Sequence, residues 1–214
     1  ANMEFAGALG EVAKQRLACP AHDLISTWLH ARIDDQPLSP AAIVHEVGLF
    51  ISGGAETTRT AISHGLVAFA QHPDQWEAMA HDPSLVAGAV EEVLRWVTPL
   101  NNMFRRAATD DHIGAQPVKR GDRVMLLYPS ANRDESVFAD PFRFDITRNP
   151  NPHLAFGFGT HLCVGANLAR ATLHSVLATL SQSITDLQII TAPDVEPNIF
   201  ARAVRRCELG FRRR

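Results

Sequence analysis

Cys163 is the residue whose setting points most directly to chemistry. It lies in HLAFGFGTHLCVGANLAR, residues 153–170, behind Gly157 and Gly159 and ahead of Gly165. Glycine admits positive φ and lets another group approach the backbone closely. The pattern after Gly165 is helical, and a helix start presents free N–H groups and a positive end. Such a setting favours the thiolate over the thiol. A thiolate here is either a nucleophile, with His161 two residues away as its base, or a metal ligand. A single thiolate with no second ligand nearby suits an iron held mainly by a porphyrin.

Two further groupings carry weaker signals. EEVLR places Glu92 and Arg95 three residues apart, so on a helix they share a face and can pair. If solvated, such a pair contributes only tenths of a kcal/mol. GGAETT sets Gly53 and Gly54 just before Glu56 and Thr57. The Thr57 hydroxyl, four residues after Gly53, can reach that carbonyl and open the helix locally. Each of these two patterns alone is common in helices.

Taken in order, the three stretches resemble the cytochrome P450 family. FGFGTHLCVG is similar to that family's haem loop, F-x-x-G-x-x-x-C-x-G, with Phe156, Gly159, Cys163 and Gly165 at the fixed positions. The resemblance implies that Cys163 is the axial thiolate of haem b (iron protoporphyrin IX). It implies that Phe156 packs on the thiolate side of the ring and that His161 and Arg105 bind propionates. EVLR resembles the family's E-x-x-R, a buried structural pair completed by a later arginine, for which Arg143 of PFRF is the candidate. Phe142 stands where that later motif usually begins with an acid. GGAETT is similar to the oxygen-groove motif, in which Glu56 and Thr57 would deliver protons to dioxygen. Substrate-facing candidates are Ala55, Leu100 and Met103, with Ile199 and Phe200 near the C-terminus.

The elements that must position these residues are mostly helices. Residues 5–33 read as two helical pieces broken near ACPAHD, with Pro20 and Asp23 starting the second. A long helix follows, N-capped by Ser39 with Pro40 first. It spans about 30 residues, roughly 45 Å, and is interrupted by Gly53 and Gly54. Pro73 opens another helix. The next is capped by Asp82, starts at Pro83, and carries an apolar stripe of Val86, Val90, Val93 and Val97. Short strands and turns follow Pro99, with Gly114 and Gly121 as turn signals. A loop-rich stretch covers 129–152. The last helix carries Leu173, Val176, Leu177, Leu180 and Ile184 on one face, and short strands occupy 187–213. The expected class is therefore mainly α with small β-sheets. The resemblance implies the C-terminal part of the P450 fold, from its G helix through the cysteine loop, L helix and terminal β-hairpin. The whole chain, 1–214, reads as one domain or part of one, with the N-terminal half of the family fold absent.

Composition narrows the remaining classes. The formal net charge is −3, which argues against a nucleic-acid binder. Three cysteines, odd in number and without a C-x-x-C pair, fit a reducing cytoplasm better than a disulfide scaffold. No apolar run approaches the ~20 residues of a membrane span, and the first residues lack a signal-peptide pattern. The start at Ala1 rather than Met fits a fragment or a processed form. The implied activity is insertion of one oxygen atom of dioxygen into a small apolar substrate. Electrons would come from NAD(P)H through a ferredoxin or similar donor. A peroxide-driven haem enzyme and a haem-binding but inert fragment are the alternatives.

Overall fold

The computed structural model describes residues 2–214, with side chains from residue 4 onward. The chain divides into two compact units, 1–55 and 56–214.

The first unit contains helices α1 (Asn2–Ala18) and α2 (Leu24–His30), a small hairpin, and the start of helix α3 (Pro40–Gln71). Asp23, not Pro20, begins α2: its carboxylate accepts the Ser26 N–H at 2.8 Å. Ser39 caps α3 by accepting the Ala42 N–H at 3.2 Å, and Pro40 is the first helical residue. Leu9, Ile43 and Val47 form the buried centre of this unit, with Trp28 packed against them. The reading of helix as far as residue 33 needs correction. Strands β1 (Arg32–Ile33) and β2 (Gln36–Pro37) pair there in an antiparallel hairpin. Asp34 and Asp35 make its two-residue turn, with φ of 49° and 59°. Positive φ at both central residues is what a tight hairpin requires, and Asp tolerates it better than most residues.

Helix α3 runs without a break through Gly53 and Gly54, so the expected interruption is not there. Each glycine costs up to about 1 kcal/mol relative to Ala, which weakens a long helix without breaking it.

The second unit is built around helices α4 (Pro73–His81), α5 (Val86–Val97) and α7 (Ala166–Ser183). Asp82 and Pro83 start a single 3₁₀ turn, Pro83–Leu85, ahead of α5; the Asp82 carboxylate accepts the Ser84 N–H at 2.9 Å. Val86, Val90, Val93 and Val97 are all buried, as their period predicts, and Leu173 and Leu177 of α7 join the same core. Phe69 packs edge-on against Trp76 and Phe144, with centroids 5.2 and 5.3 Å away. Ile184 lies beyond the helix: α7 ends at Ser183, and Ile184 opens a strand with φ −134°. Its β-branched side chain suits the extended backbone. Its carbonyl accepts the Trp76 Nε1–H at 3.2 Å.

Four two-stranded sheets complete the described chain. In the second unit β3 (Asn102–Arg106) pairs with β6 (Arg123–Leu127), setting Arg106 opposite Arg123. Between them β4 (Asp111–Ile113) and β5 (Gln116–Val118) form a hairpin at Gly114. A short helix, α6 (Tyr128–Ala131), opens the loop-rich stretch. The terminal strands are longer than expected: β7 (Ile184–Val195) and β8 (Val204–Arg213) form one antiparallel ribbon with several register shifts. The fold is thus mainly helical with small sheets.

The 129–152 stretch passes close to α5 at Gly88. A Cβ there would lie 2.4 Å from the Ile146 carbonyl oxygen. Backbone cannot yield as a flexible side chain can. Gly88→Ala is expected to lower stability by about 1–3 kcal/mol, measurable as a lower thermal midpoint. An unchanged midpoint would show that the loop is not held against α5.

Candidate functional site

The Cys163 loop is shaped by its main chain. Gly157 and Gly159 both have φ 73°, the left-handed region that glycine enters without strain. The Phe156 carbonyl accepts the Cys163 N–H at 2.9 Å. Cys163 is followed by a turn in which its carbonyl accepts the Ala166 N–H at 3.2 Å. Helix α7 therefore starts three residues after the cysteine, with Gly165 as its N-cap residue. Gly165 has φ −87°, so backbone strain does not require glycine there, and a Cβ would meet the Cys163 Sγ at 3.9 Å, an ordinary contact. Cys163 is exposed, and so are the apolar neighbours Phe158, Leu162 and Val164. Contiguous exposed apolar surface marks a place where something binds.

His161 and Arg105 line the same open basin of about 580 Å³, with Phe104, Arg106 and Arg123. Strand pairing does this: β3 carries Phe104, Arg105 and Arg106, and β6 brings Arg123 alongside, its guanidinium 4.9 Å from the Phe104 ring centroid. A basin with three arginines and a histidine suits an anion. Arg123 was not singled out from the sequence, because only the strand register reveals it.

Glu92 and Arg95 are fully buried and paired through both carboxylate oxygens, at 2.7 and 2.8 Å. All five Arg95 N–H groups are used. Two go to Glu92, and three go to the carbonyls of Asn132, Pro141 and Arg143 at 2.8–3.1 Å. Glu92 also accepts from the Asp145 N–H and from Asn151. The expected third arginine is corrected here. Arg143 offers only its carbonyl, and the guanidinium beside Glu92 is that of Arg148, with Nε 3.3 Å from Oε2. Five residues further on, the loop has turned back toward α5, a reversal that linear spacing does not encode. Asn132, missed in the sequence, is also buried here. Its amide donates to the Thr98 hydroxyl at 2.8 Å and accepts the Leu154 N–H at 2.7 Å.

The remaining candidates sit as follows. Glu56 is bound at 2.7 Å through both oxygens by Arg59, one turn along its own helix, and lies 3.5 Å from the Thr60 hydroxyl. Thr57 is half-buried beside it in sequence. Gly53, Gly54 and Ala55 are exposed in the first unit. The two C-terminal candidates come together with the PLNNM turn: Leu100 bridges to Ala201, and the Asn101 N–H donates to the Phe200 carbonyl at 2.8 Å. The Asn102 amide reaches the Ile199 carbonyl at 2.6 Å. Ile199 and Phe200 keep exposed side chains, and Leu100 and Met103 are half-buried.

A sequence profile of the family Cytochrome P450 matches residues 11–185. The chain belongs to the cytochrome P450 family. Among relatives, it is 42% identical over 195 residues to a steroid C26-monooxygenase of Rhodococcus jostii, covering 90% of this chain and 41% of that protein. A steroid C26-monooxygenase of Mycobacterium tuberculosis is 42% identical over 182 residues, covering 85% and 49%. The solved P450 CYP109Q5 from Chondromyces apiculatus superposes with a TM-score of 0.90 at 38% identity, covering 98% of this chain and 54% of that one. CYP268A2 of Mycobacterium marinum, solved with pseudoionone, gives 0.92 at 36%, covering 97% and 50%. This P450 chain spans about half the length of the relatives it matches.

Family membership implies a haem cofactor, and the residues present fit one. Cys163 offers a soft sulfur donor from an exposed loop. Gly159 leaves open space, since a Cβ there would meet no atom within 4 Å. Arg105 and His161 share a cationic basin suited to a carboxylate. Among the described residues, no three of His, Cys, Asp or Glu gather as a metal site, and no helix is long and apolar enough to cross a membrane.

Proposed function

We propose that this chain is the haem-binding part of a bacterial cytoplasmic P450 monooxygenase. The observation that carries the reading is Cys163, exposed on a glycine-shaped loop, in a chain of this family whose cationic basin joins His161 to Arg105. Cys163 Sγ would hold the iron of haem b. When bound, haem with a thiolate ligand supplies oxygen activation. The chain's residues do the rest. Phe156 would cover the sulfur, and Gly157, Gly159 and Gly165 would let the group approach the main chain. The Arg105 guanidinium and a His161 ring nitrogen hold the propionates. Glu56 and Thr57 move protons toward the dioxygen side, for which the Glu56 carboxylate must leave Arg59. Leu100, Met103, Ile199 and Phe200 would face a small apolar substrate, and the names of the curated relatives favour a steroid. Electrons come from NAD(P)H through a ferredoxin. The Glu56–Thr57 pair favours dioxygen and reductant over a peroxide-driven reaction.

The test uses the full-length protein with haem, a ferredoxin, its reductase and NAD(P)H. Thr57→Ala is expected to keep consuming reductant while product per reductant falls sharply, since a proton-transfer group typically contributes about 10²–10⁴-fold to rate. Full coupling in that variant would reject the role of Thr57. Turnover with peroxide but not with reductant and oxygen would reject the monooxygenase reading.

A further inference from the structure

We propose that Glu91, His153 and Arg170 are positioning residues that hold the Cys163 sulfur in its ligand geometry by fixing the ring and main chain of Phe156. The proposal rests on the reading of Cys163 as haem ligand.

Glu91 directly precedes the buried Glu92 on α5, so its side chain points about 100° around the helix from that pair. There it is gripped from two sides. The Arg170 guanidinium, on α7, binds it in a fork, Nε to Oε1 at 2.7 Å and Nη2 to Oε2 at 2.9 Å. The His153 Nε2 lies 3.0 Å from Oε2. The tautomer follows from the ring's other contact. His153 Nδ1 accepts the Ala155 N–H at 3.3 Å. With Nδ1 accepting, Nε2 is the nitrogen that donates its proton to Glu91.

Both partners continue to Phe156. The Arg170 guanidinium carbon lies 4.7 Å from the Phe156 ring centroid, within cation–π range. The His153 ring packs on the same phenyl ring at 6.0 Å and 52°. Ala155, which His153 holds, is the residue before Phe156, and the Phe156 carbonyl receives the Cys163 N–H. Two helices are thus linked through one carboxylate to the residue that bonds the cysteine's own amide.

The knot differs from an ordinary surface ion pair. The His153 side chain is 2% exposed, the arginine contact is bidentate, and two side chains share one acid. Burial alone would raise the Glu91 acid, but the hydrogen bonds from His153 and Arg170 outweigh it and hold it at about 2. The carboxylate therefore stays charged across the working range of the protein. The Glu92–Arg95 pair already ties α5 to the 129–152 loop, so Glu91 is not needed to hold that loop.

The experiment follows the reduced carbon-monoxide complex of the full-length, haem-loaded protein and the iron–sulfur stretch in its resonance Raman spectrum. In Arg170→Leu the red-shifted thiolate band is expected to convert to the shorter-wavelength form a few-fold faster, the scale of a partly exposed cation–π contact. The iron–sulfur frequency should shift as well. Arg170→Lys keeps the charge over the ring and should restore part of the lifetime. Glu91→Gln should match Arg170→Leu, and the double variant should be no worse than either, since both act through one knot. Parent-like band lifetime and iron–sulfur frequency in Arg170→Leu would overturn the proposal, as would a lowered thermal midpoint with both spectral readouts unmoved. If Arg170→Leu takes up no haem, Arg170→Lys and Glu91→Gln decide by the same readouts. If the parent itself lacks the red-shifted band, the ligand reading of Cys163 fails, and this proposal fails with it.

Discussion

Cys163→Ala is expected to abolish the far-red Soret band of the reduced carbon-monoxide complex altogether. The band requires a thiolate, and Cys163 is the cysteine of the loop; among the described residues no group of three ligating side chains forms another metal site. His161 lies in the arginine basin, where the proposed role of its ring is to hold a propionate. The chain's other cysteines give the internal control. Cys19 is exposed in the first unit. Cys207 is half-buried on β8, and burial, reinforced by the nearby Glu208 carboxylate, pushes its thiol up, away from the thiolate. Cys19→Ala and Cys207→Ala should therefore leave the band unchanged. An unchanged band in Cys163→Ala would falsify the ligand assignment.

The second large effect is expected at Arg95. Removing one partner of a buried ion pair strands the other and costs about 3–5 kcal/mol. Whole domains are stable by only about 5–15 kcal/mol. Arg95→Leu would also leave the carbonyls of Asn132, Pro141 and Arg143 without their donor. It should yield protein that does not fold or retain haem. Arg95→Lys is the more telling variant. It keeps the charge, but an ammonium has three donors in place of a five-donor fork. At least two acceptors lose their hydrogen bond, each worth about 1–3 kcal/mol when buried. Denaturant unfolding should show a loss of at least about 2 kcal/mol. A loss below about 1 kcal/mol would show that charge rather than the fork matters at this site.

Much of this architecture can be read from residue order, and the parts that cannot have identifiable causes. The valine stripe of α5 and the Ser39–Pro40 start of α3 follow from period and capping, which act within a few residues. The Cys163 loop is legible because its glycines and cysteine stand at fixed short spacings. The third arginine was not legible. Arg143 and Arg148 both lie in irregular chain, and only the path of the loop decides which reaches Glu92. The basin's Arg123 depends on strand register, and Asn132 on a fold-back of 34 residues to Thr98. The Asp34–Asp35 hairpin was missed because its turn lacks the glycine that usually marks one. For Glu91 a signal did exist: two adjacent acids on one helix face different directions, so a second acceptor implies a second partner.

The way Arg95 holds its loop bears on how this segment can change over time. Arg95 and Arg148 grip residues 139–143 only through main-chain oxygens: Ala139, Asp140, Pro141 and Arg143 all offer carbonyls. Every amino acid carries that oxygen. The side chains there are largely released from specifying the anchor, and Phe142, standing where an acid is usual in the family, points its ring outward with 68% exposure. The clamp reads the path of the chain more than its spelling. A change at exposed Phe142 should leave these bonds in place, whereas Asp140, held at φ 47°, and the buried Pro141 are more constrained.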